Sequence, residues 1–424
     1  LKGIVFAAIA VATFSVSSMA QAVKRTPFDV TNYVIDATLA PKERRITATA
    51  DVTFTPLEDT RTIAFELNGS LKIDSITRVG TAVTLPSMAT RATPRPAATT
   101  AAQITFVQDQ AGASDLGPSV RIDLGDNVTA NTPITLRFKY AGIFDTPAGG
   151  PLLNKRLAYV GTDFGYLMYA ARWFPFHDYA ADRATADITI NVPSGIQLVG
   201  YSDQPVTATG GKYRFVQSKP GLVGNIAYGK YTTRTLTMNG FELVFNSRPG
   251  TEQVVQGYAE VLGKALDTYT KRFGAADFGK RLIVTQIDDE SLEYYSTTGS
   301  LMIGTRQFEE ARDITKERLQ REAAYQWWGV SVGLKAFDDA WLSQGLAEYS
   351  AFSLRESEAS ETGVDALRRE LLERALTFEP AASLLRAPSN LDDQSTAYQY
   401  LMYAKGAFVY KLLRATMGND KFDR

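Results

Sequence analysis

Hydrophobic and polar residues alternate over much of the first half of the chain. The alternation is clearest at five positions, Ile46, Ala48, Ala50, Val52 and Phe54. It recurs over residues 134–140 and 188–192. Because successive side chains of a strand point to opposite faces of a sheet, a period of two predicts strands with one buried face. Residues 23–248 are therefore predicted to form an N-terminal antiparallel β domain.

After Pro249 and Gly250 the spacing of hydrophobic residues lengthens to that of a helix. One stripe, at 3.6-residue spacing, comprises Val254, Tyr258, Val261, Leu262, Ala265 and Tyr269. A short buried strand is predicted at 282–284, and helices at roughly 307–334, 339–356, 363–377 and 395–416. Residues 249–424 are predicted to form a mixed sheet dominated by helices, so the fold class is α+β with more than one domain.

Charge and residue counts exclude several classes of function. With 45 Lys and Arg against 46 Asp and Glu, the net charge of −1 favours no nucleic-acid partner. Cysteine is absent and the only histidine is His177, so one copy of the chain lacks the nitrogen and sulfur ligands of an ordinary zinc site. The same counts exclude a cysteine nucleophile, and a Ser-His-Asp triad would have to use His177.

The first 22 residues have the pattern of a signal peptide. Lys2 precedes an apolar run at 4–12, and a cleavage site with small residues follows and ends at Ala22. We expect cleavage near Val23 and export to the periplasm or the medium, with no membrane span in the mature chain. An uncleaved anchor is the alternative, although the apolar run is short and serines interrupt it.

Two segments share the spacing of a metallopeptidase site. Residues 321–329 read Arg-Glu-Ala-Ala-Tyr-Gln-Trp-Trp-Gly, and residues 341–347 read Trp-Leu-Ser-Gln-Gly-Leu-Ala. Eighteen residues, 326–343, separate Tyr325 from Gln344. This frame resembles the aminopeptidase N family of zinc metallopeptidases, the membrane alanyl aminopeptidase-like gluzincins, whose pattern is His-Glu-x-x-His, 18 residues, then Glu within Trp-Leu-x-Glu-Gly.

The resemblance extends to other parts of the chain. Residues 403–407, Tyr-Ala-Lys-Gly-Ala, resemble the segment whose tyrosine stabilises the oxyanion in that family, and residues 171–178 resemble a segment of its β domain. The resemblance implies a thermolysin-like domain over 249–424, which is expected to be cut short at its C-terminal end. It also implies that Glu322 is the general base and Tyr403 the oxyanion residue. The family's amine-binding Gly-x-Met-Glu-Asn loop has no counterpart at 294–300, where only Glu293 is near.

The family's three zinc-ligand positions hold Arg321, Tyr325 and Gln344. An arginine guanidinium is donor-only and always charged, so it repels a divalent cation. We predict no metal and no cofactor, although the family is expected to bind zinc. A residual site made of Glu322, Tyr325 and Gln344 is the less favoured alternative. The Arg321 guanidinium is predicted to pair with Glu322 or with Glu348, one turn beyond Gln344.

The predicted function follows from these replacements. Glu322 and Tyr403 are interpreted as vestigial, and the chain as a non-catalytic pseudoenzyme that binds a peptide or protein. The alternative is an active aminopeptidase or peptide hydrolase with an atypical or metal-independent site, in which Glu322 and Tyr403 move protons. A third possibility is a β domain that docks a partner. Six aromatic residues either line a cleft or pack in the core: Tyr294, Tyr295, Trp327, Trp328, Tyr398 and Tyr400.

Overall fold

The computed structural model describes residues 27–80, 104–109, 119–144, 155–178, 180, 182–289, 292–309, 313–335, 339–378, 384 and 395–424. The predicted signal peptide, residues 1–22, lies outside these ranges. Among the helices that the structure describes, none is both long enough and apolar enough to cross a bilayer.

The first half of the described chain is built of strands. In chain order they are β1 (Phe28–Ala40), β2 (Arg45–Pro56), β3 (Thr60–Glu66), β4 (Leu71–Arg78), β5 (Thr105–Gln108), β6 (Ser119–Val128), β7 (Ile134–Ile143), β8 (Ala158–Val160), β9 (Gly165–Leu167), β10 (Ala184–Asn191), β11 (Leu198–Gly200), β12 (Thr207–Thr209), β13 (Lys212–Gly221) and β14 (Ile226–Tyr228). Single 3₁₀ turns lie at Pro41–Glu43 and Tyr169–Ala171.

These strands form three sheets. A seven-stranded sheet has the order β12-β13-β10-β1-β2-β7-β4, a four-stranded sheet the order β11-β14-β9-β8, and a three-stranded sheet the order β3-β6-β5. Pairing is antiparallel except between β1 and β10, which run parallel. The alternating residues predicted from the sequence are buried in β2, with Ala50, Val52 and Phe54 fully inaccessible. Their period of two thus matches the buried face of the largest sheet.

The second half combines one sheet with helices. Its elements are β15 (Thr232–Met238), β16 (Phe241–Ser247), α1 (Val255–Phe273), β17 (Arg281–Ile287), β18 (Tyr294–Thr297), β19 (Ser300–Gly304), α2 (Arg306–Glu309), α3 (Asp313–Tyr325), α4 (Ala340–Glu358), α5 (Glu361–Thr377), α6 (Thr396–Tyr398), α7 (Gly406–Met417) and α8 (Asn419–Phe422). A 3₁₀ turn, Glu252–Val254, precedes α1. π-Helical turns at Gln326–Ser331 and Gln399–Lys405 extend α3 and join α6 to α7.

The five-stranded sheet of this half is mixed, in the order β15-β16-β17-β19-β18. β17 runs parallel to both of its neighbours, whereas the outer pairs are antiparallel. Two of its strands precede residue 249 and three follow it. The stripe predicted for α1 faces the core, where Tyr258, Leu262 and Tyr269 are at most 1% exposed. The predicted α+β class, with a β domain before a helix-dominated mixed domain, is confirmed.

The segment that precedes β10 is buried in the first hydrophobic core. Trp173 and Phe174 are inaccessible, and the Arg172 Nε donates to Glu66 Oε2 at 2.6 Å. The backbone amide of Phe176 donates to the carbonyl of Glu66, so the segment is tied to the end of β3. Arg172 has a left-handed backbone conformation, with a φ of 53°, and ends the 3₁₀ turn Tyr169–Ala171.

Candidate functional site

Four elements meet around one cleft with a volume of about 120 Å³. α3 contributes Arg321 and Glu322, α4 contributes Gln344, the π-helical turn before α7 contributes Tyr403, and β18 contributes Ser296. The cleft is lined by Glu322 and Tyr403, the predicted catalytic residues. It is also lined by the residues at the family's ligand positions, Arg321, Tyr325 and Gln344. The structure therefore brings together residues that lie up to 82 positions apart, from 321 to 403.

The Arg321 guanidinium is buried and has several partners. Its Nε and Nη2 both donate to Glu322 Oε1 at 3.2 Å, and its Nη1 donates to Gln399 Oε1 at 3.0 Å. Glu348 Oε2 lies 3.8 Å from Nη1. The guanidinium carbon lies 4.2 Å from the centre of the Tyr403 ring, a cation–π contact. The predicted pairing of Arg321 with Glu322 or Glu348 is confirmed, with the hydrogen bonds going to Glu322.

The electrostatics of the site keep Arg321 charged. Burial by itself lowers the pKa of Arg321, but Tyr403 and the carboxylates of Glu322 and Glu348 outweigh it, and the pKa ends above its usual range. Burial raises the pKa of Tyr403 well above its usual range, although the Arg321 charge lowers it in part. At neutral pH the cleft thus holds a guanidinium over an un-ionised phenol.

Both carboxylate oxygens of Glu322 have donors. Oε1 accepts the two N–H groups of Arg321, and Oε2 accepts the Ser296 hydroxyl at 2.6 Å. Charge-assisted hydrogen bonds of this kind fix a carboxylate in one orientation. In this arrangement Glu322 is the counter-ion of Arg321, a role that leaves its oxygens less available to take a proton from water.

Tyr325 and Gln344 are also engaged. Burial, followed by the nearby Glu322 charge, raises the pKa of Tyr325. Its ring lies against Gly329, where a Cβ would stand only 2.1 Å from the ring carbon Cζ, so no larger residue fits there. The amide oxygen of Gln344 accepts the Tyr398 hydroxyl at 3.0 Å.

A close helix contact and an arginine hold this arrangement in place. α4 and α7 approach each other at Gly345 and Gly406, where a Cβ on Gly406 would stand 2.9 Å from the Gly345 Cα. This approach brings Gln344 and Tyr403 to the same cleft. Arg183, the residue before β10, donates to the carbonyls of Gly329 and Val330 at 2.9 and 3.0 Å. The first domain thereby anchors the π-helical turn that follows α3.

The aromatic residues divide between cleft and core. Tyr294, Tyr295 and Tyr398 line the cleft. Trp327 packs instead in the second hydrophobic core, edge-on to Tyr269, and its indole N–H donates to the Gly274 carbonyl. Of the two alternatives, core packing therefore holds for Trp327, because this side chain faces α1.

Several residues at the site were not predicted from the sequence. Ser296 donates a hydrogen bond to Glu322, and Gln399 accepts one from Arg321, although both lie far from Arg321 in sequence. Arg318, one turn before Arg321 on α3, forms an ion pair with Glu293 at the edge of the cleft. Two features of the sequence could have indicated this ion pair. Arg318 lies three residues before Arg321 on the same helix, and Glu293 lies just before β18. Within the described ranges, no group of three or more His, Cys, Asp or Glu side chains converges as a metal site.

Comparison with known proteins shows which family the second half of the chain resembles. Residues 291–424 match the model of the peptidase family M1 domain. The chain is an aminopeptidase N-like homologue of the M1 peptidases. The cleft of this M1 homologue, with Arg321, Glu322 and Tyr403, lies within the matched residues.

Among curated relatives, aminopeptidase N of Haemonchus contortus is 33% identical over 120 residues, which cover 26% of this chain and 12% of that protein. Probable aminopeptidase 1 of Saccharolobus solfataricus is 23% identical over 283 residues, 61% of this chain and 35% of that protein. The M1 homologue therefore spans well under half the length of these relatives.

Solved structures share the fold. The M1 zinc metallopeptidase from Deinococcus radiodurans has a TM-score of 0.72 and 19% identity, covering 93% of this chain and 84% of that one. A mutant of the same enzyme bound to a Tyr-Ser-Ala substrate has a TM-score of 0.70, with 19% identity and the same coverage. At this identity the likeness establishes the two-domain fold of the M1 homologue.

Proposed function

We propose that this chain is a non-catalytic member of the aminopeptidase N-like group that binds peptides in the cleft around Arg321. The observation that carries the proposal is the buried pair of Arg321 and Glu322. Its guanidinium occupies the interior of the cleft, and its carboxylate is the residue that the family resemblance assigns as general base. A base held as the counter-ion of a fixed cation is poorly placed to activate water.

The side chains at the family's metal-ligand positions do not fit zinc. Zinc is bound by neutral imidazole, thiolate or carboxylate groups. Arg321 offers only donors and a positive charge, and the raised pKa of Tyr325 disfavours a phenolate ligand. Gln344 offers a single amide oxygen that already accepts the Tyr398 hydroxyl. We therefore propose no zinc, and no other cofactor, for this site.

Glu322 and Tyr403 are proposed to be vestigial. Without a Lewis acid, the pKa of water stays near 15.7 instead of falling to about 7, so a carboxylate alone is a weak activator. Glu322 also has both oxygens engaged, and the raised pKa of Tyr403 keeps its phenol neutral. The phenol is held under the guanidinium, where it acts in packing.

Peptide binding is supported by the strand that borders the cleft. β18 is the outermost strand in the order of its sheet, and Tyr294, Tyr295 and Ser296 from it line the cleft. An outermost strand offers backbone donors and acceptors to an extended peptide, and tyrosines add contact area with few rotatable bonds. Glu293 is paired with Arg318, so we expect no preference for a free N-terminus.

A hydrolysis assay separates the two candidate functions. Purified protein with added zinc or cobalt should hydrolyse aminoacyl and dipeptide fluorogenic substrates no faster than a blank. Chelator-sensitive turnover that survives repurification would instead establish the alternative, an active aminopeptidase or hydrolase with an atypical site.

Calorimetric titration tests binding in the cleft. Short peptides of mixed sequence should bind with equal affinity in free and N-acetylated form. Leu334, which lines the cleft, is the site for a blocking variant, Leu334→Trp, and the exposed Val332 provides the matched control Val332→Trp. Loss of binding only in Leu334→Trp is expected. Equal binding by both variants, or a strong preference for the free amine, would contradict the proposal.

A further inference from the structure

A second cavity, with a volume of about 280 Å³, lies behind the Arg321 guanidinium. It shares only Arg321 and Gln399 with the cleft among its lining residues. Its charged lining consists of three arginines and three glutamates, Arg318, Arg321, Arg374, Glu317, Glu348 and Glu370. The two cavities therefore adjoin each other at the Arg321 and Gln399 side chains.

The charges that line this cavity balance. Three guanidinium groups and three carboxylates give no net charge when all are ionised. A ligand with a single charge, positive or negative, would give the cavity a net charge that its lining does not balance. A ligand that carries one charge of each sign, with no net charge, matches this lining.

The Glu348 carboxylate lies at the deep end of the cavity and, among the described residues, has ion-pair contacts only. Glu348 is 6% exposed, and its two oxygens lie 3.8 Å from Arg321 and 3.7 Å from Arg355. In the part of the chain that the structure describes, these long ion-pair contacts are the only ones to its oxygens, with no hydrogen bond. A carboxylate can accept hydrogen bonds at both oxygens, so the Glu348 oxygens can take further donors. A primary ammonium, with three N–H groups, would supply them.

The mouth of the cavity has donors to spare. Arg374 Nη1 donates to Glu370 Oε1 at 3.3 Å, and the Glu370 side chain is 53% exposed. The Arg374 guanidinium also lies 5.5 Å from the centre of the Tyr400 ring. A guanidinium has five N–H groups, so further donors of Arg374 are available to a carboxylate that enters from the mouth.

We propose that this second cavity binds a free amino acid as its zwitterion. The ammonium group lies at Glu348 and the carboxylate lies towards Arg374. A volume of about 280 Å³ is just below the range of roughly 300 to 1,000 Å³ found for sites of drug-sized ligands, which favours a single amino acid over a polymer. This site is distinct from the peptide cleft, and its occupancy does not depend on whether the cleft binds peptide.

Calorimetry with matched ligands tests the charge requirement. Neutral L-amino acids are titrated first, followed by the methyl ester and the N-acetyl derivative of the tightest binder. Each derivative removes one charge and should lower affinity by about tenfold or more, since a charge-assisted hydrogen bond contributes at least 1.4 kcal/mol. Absence of binding by every amino acid, or an N-acetyl derivative that binds as tightly as its parent, would overturn the proposal.

Variants locate the ligand. Arg374→Gln should weaken binding of the amino acid, and Glu348→Gln should abolish it. Arg368→Gln is the matched control, because Arg368 lies on the same helix and pairs with Glu356 on the exposed surface. If Glu348→Gln does not fold, Arg374→Gln and the ligand derivatives still decide the question.

The cleft variant separates the two sites. Leu334→Trp blocks the peptide cleft but does not line the second cavity, so it should leave affinity for the amino acid unchanged. Loss of amino-acid binding in Leu334→Trp would place the ligand in the cleft and overturn the proposal, whatever the outcome of the peptide titration.

Discussion

Arg172 in the β domain and Arg321 in the helical domain form similar buried ion pairs. Arg172 Nε lies 2.6 Å from Glu66 Oε2, and Arg321 Nη2 lies 3.2 Å from Glu322 Oε1. Both side chains of each pair are at most 10% exposed. Each guanidinium also lies over an aromatic ring, 5.3 Å from the centre of Phe176 for Arg172 and 4.2 Å from the centre of Tyr403 for Arg321.

The surroundings of the two pairs differ. Arg172 adjoins Trp173 and Phe174 in the first hydrophobic core, and its carbonyl accepts the Asn68 amide. Arg321 instead lines both the cleft and the second cavity. A buried Arg–Glu pair thus cross-links two segments in the β domain, whereas in the helical domain the arginine of such a pair lines two adjoining cavities. Water from those spaces can solvate charges at Arg321 but not at Arg172.

The largest expected effect is the loss of Arg172. Arg172→Met removes the buried charge-assisted hydrogen bond at 2.6 Å between Arg172 and Glu66, and breaking such a pair should lower the free energy of unfolding by about 3 to 5 kcal/mol. Denaturant melts with a matched surface variant, Arg137→Met, provide the measurement. Arg137 pairs with Asp51 on the surface, where such a pair contributes only about 0 to 1 kcal/mol. Equal effects of the two variants would remove the distinction between a buried cross-link and a surface pair.

A smaller effect is expected at Arg321. Arg321→Met should lower the free energy of unfolding by about 1 to 3 kcal/mol, because water from the adjoining cavities partly solvates the unpaired Glu322. Adding Glu322→Gln should recover part of the loss, since it removes the uncompensated charge. A loss as large as that of Arg172→Met, or one below about 0.5 kcal/mol, would contradict the account.

The aromatic rings under the two arginines predict a difference at high pH. The folded-state pKa of Tyr403 is raised, mainly by burial, whereas an unfolded chain loses this proton near a pKa of about 10. The contribution of the neutral phenol to stability is therefore present below about pH 10 and is lost as pH rises through the folded-state pKa. Phe176, in the same place under Arg172, does not titrate.

Tyr403→Phe should consequently make stability fall less steeply above about pH 10 than in the parent chain. Denaturant melts over a pH series give the measurement, and Phe176→Leu is the control that leaves the pH slope unchanged. An unaltered slope in Tyr403→Phe would mean that this phenol is already ionised or already exposed in the folded chain.

The sequence predicted the strands and helices because their hydrophobic spacing is a local property. The period of two in β2 and the helical stripe of α1 each mark one buried face. The parallel pairing of β1 with β10 could not be read in this way, since it joins residues about 150 positions apart. Pairing partners depend on the packing of the whole sheet, whereas alternation reports only which face is buried.

The site was predictable in part for the same reason. Arg321 and Glu322 are neighbours on one helix, and Glu348 lies one turn beyond Gln344, so their pairing follows from helix geometry. The roles of Ser296 and Gln399 depend on where β18 and a π-helical turn pack against α3, which no local pattern specifies. The sequence left Trp327 open between cleft and core for a similar reason, because its neighbours on α1 decide that it packs in the core.

Zinc content provides the most direct test of the proposal that Arg321 replaces metal in this cleft. Purified protein is equilibrated with zinc, desalted and measured by elemental analysis, with the variant Arg321→His, Tyr325→His, Gln344→Glu treated in parallel. We predict close to zero zinc per parent chain and close to one per chain of the triple variant, in which the family's ligand set is restored. Zinc near one per parent chain would contradict the account.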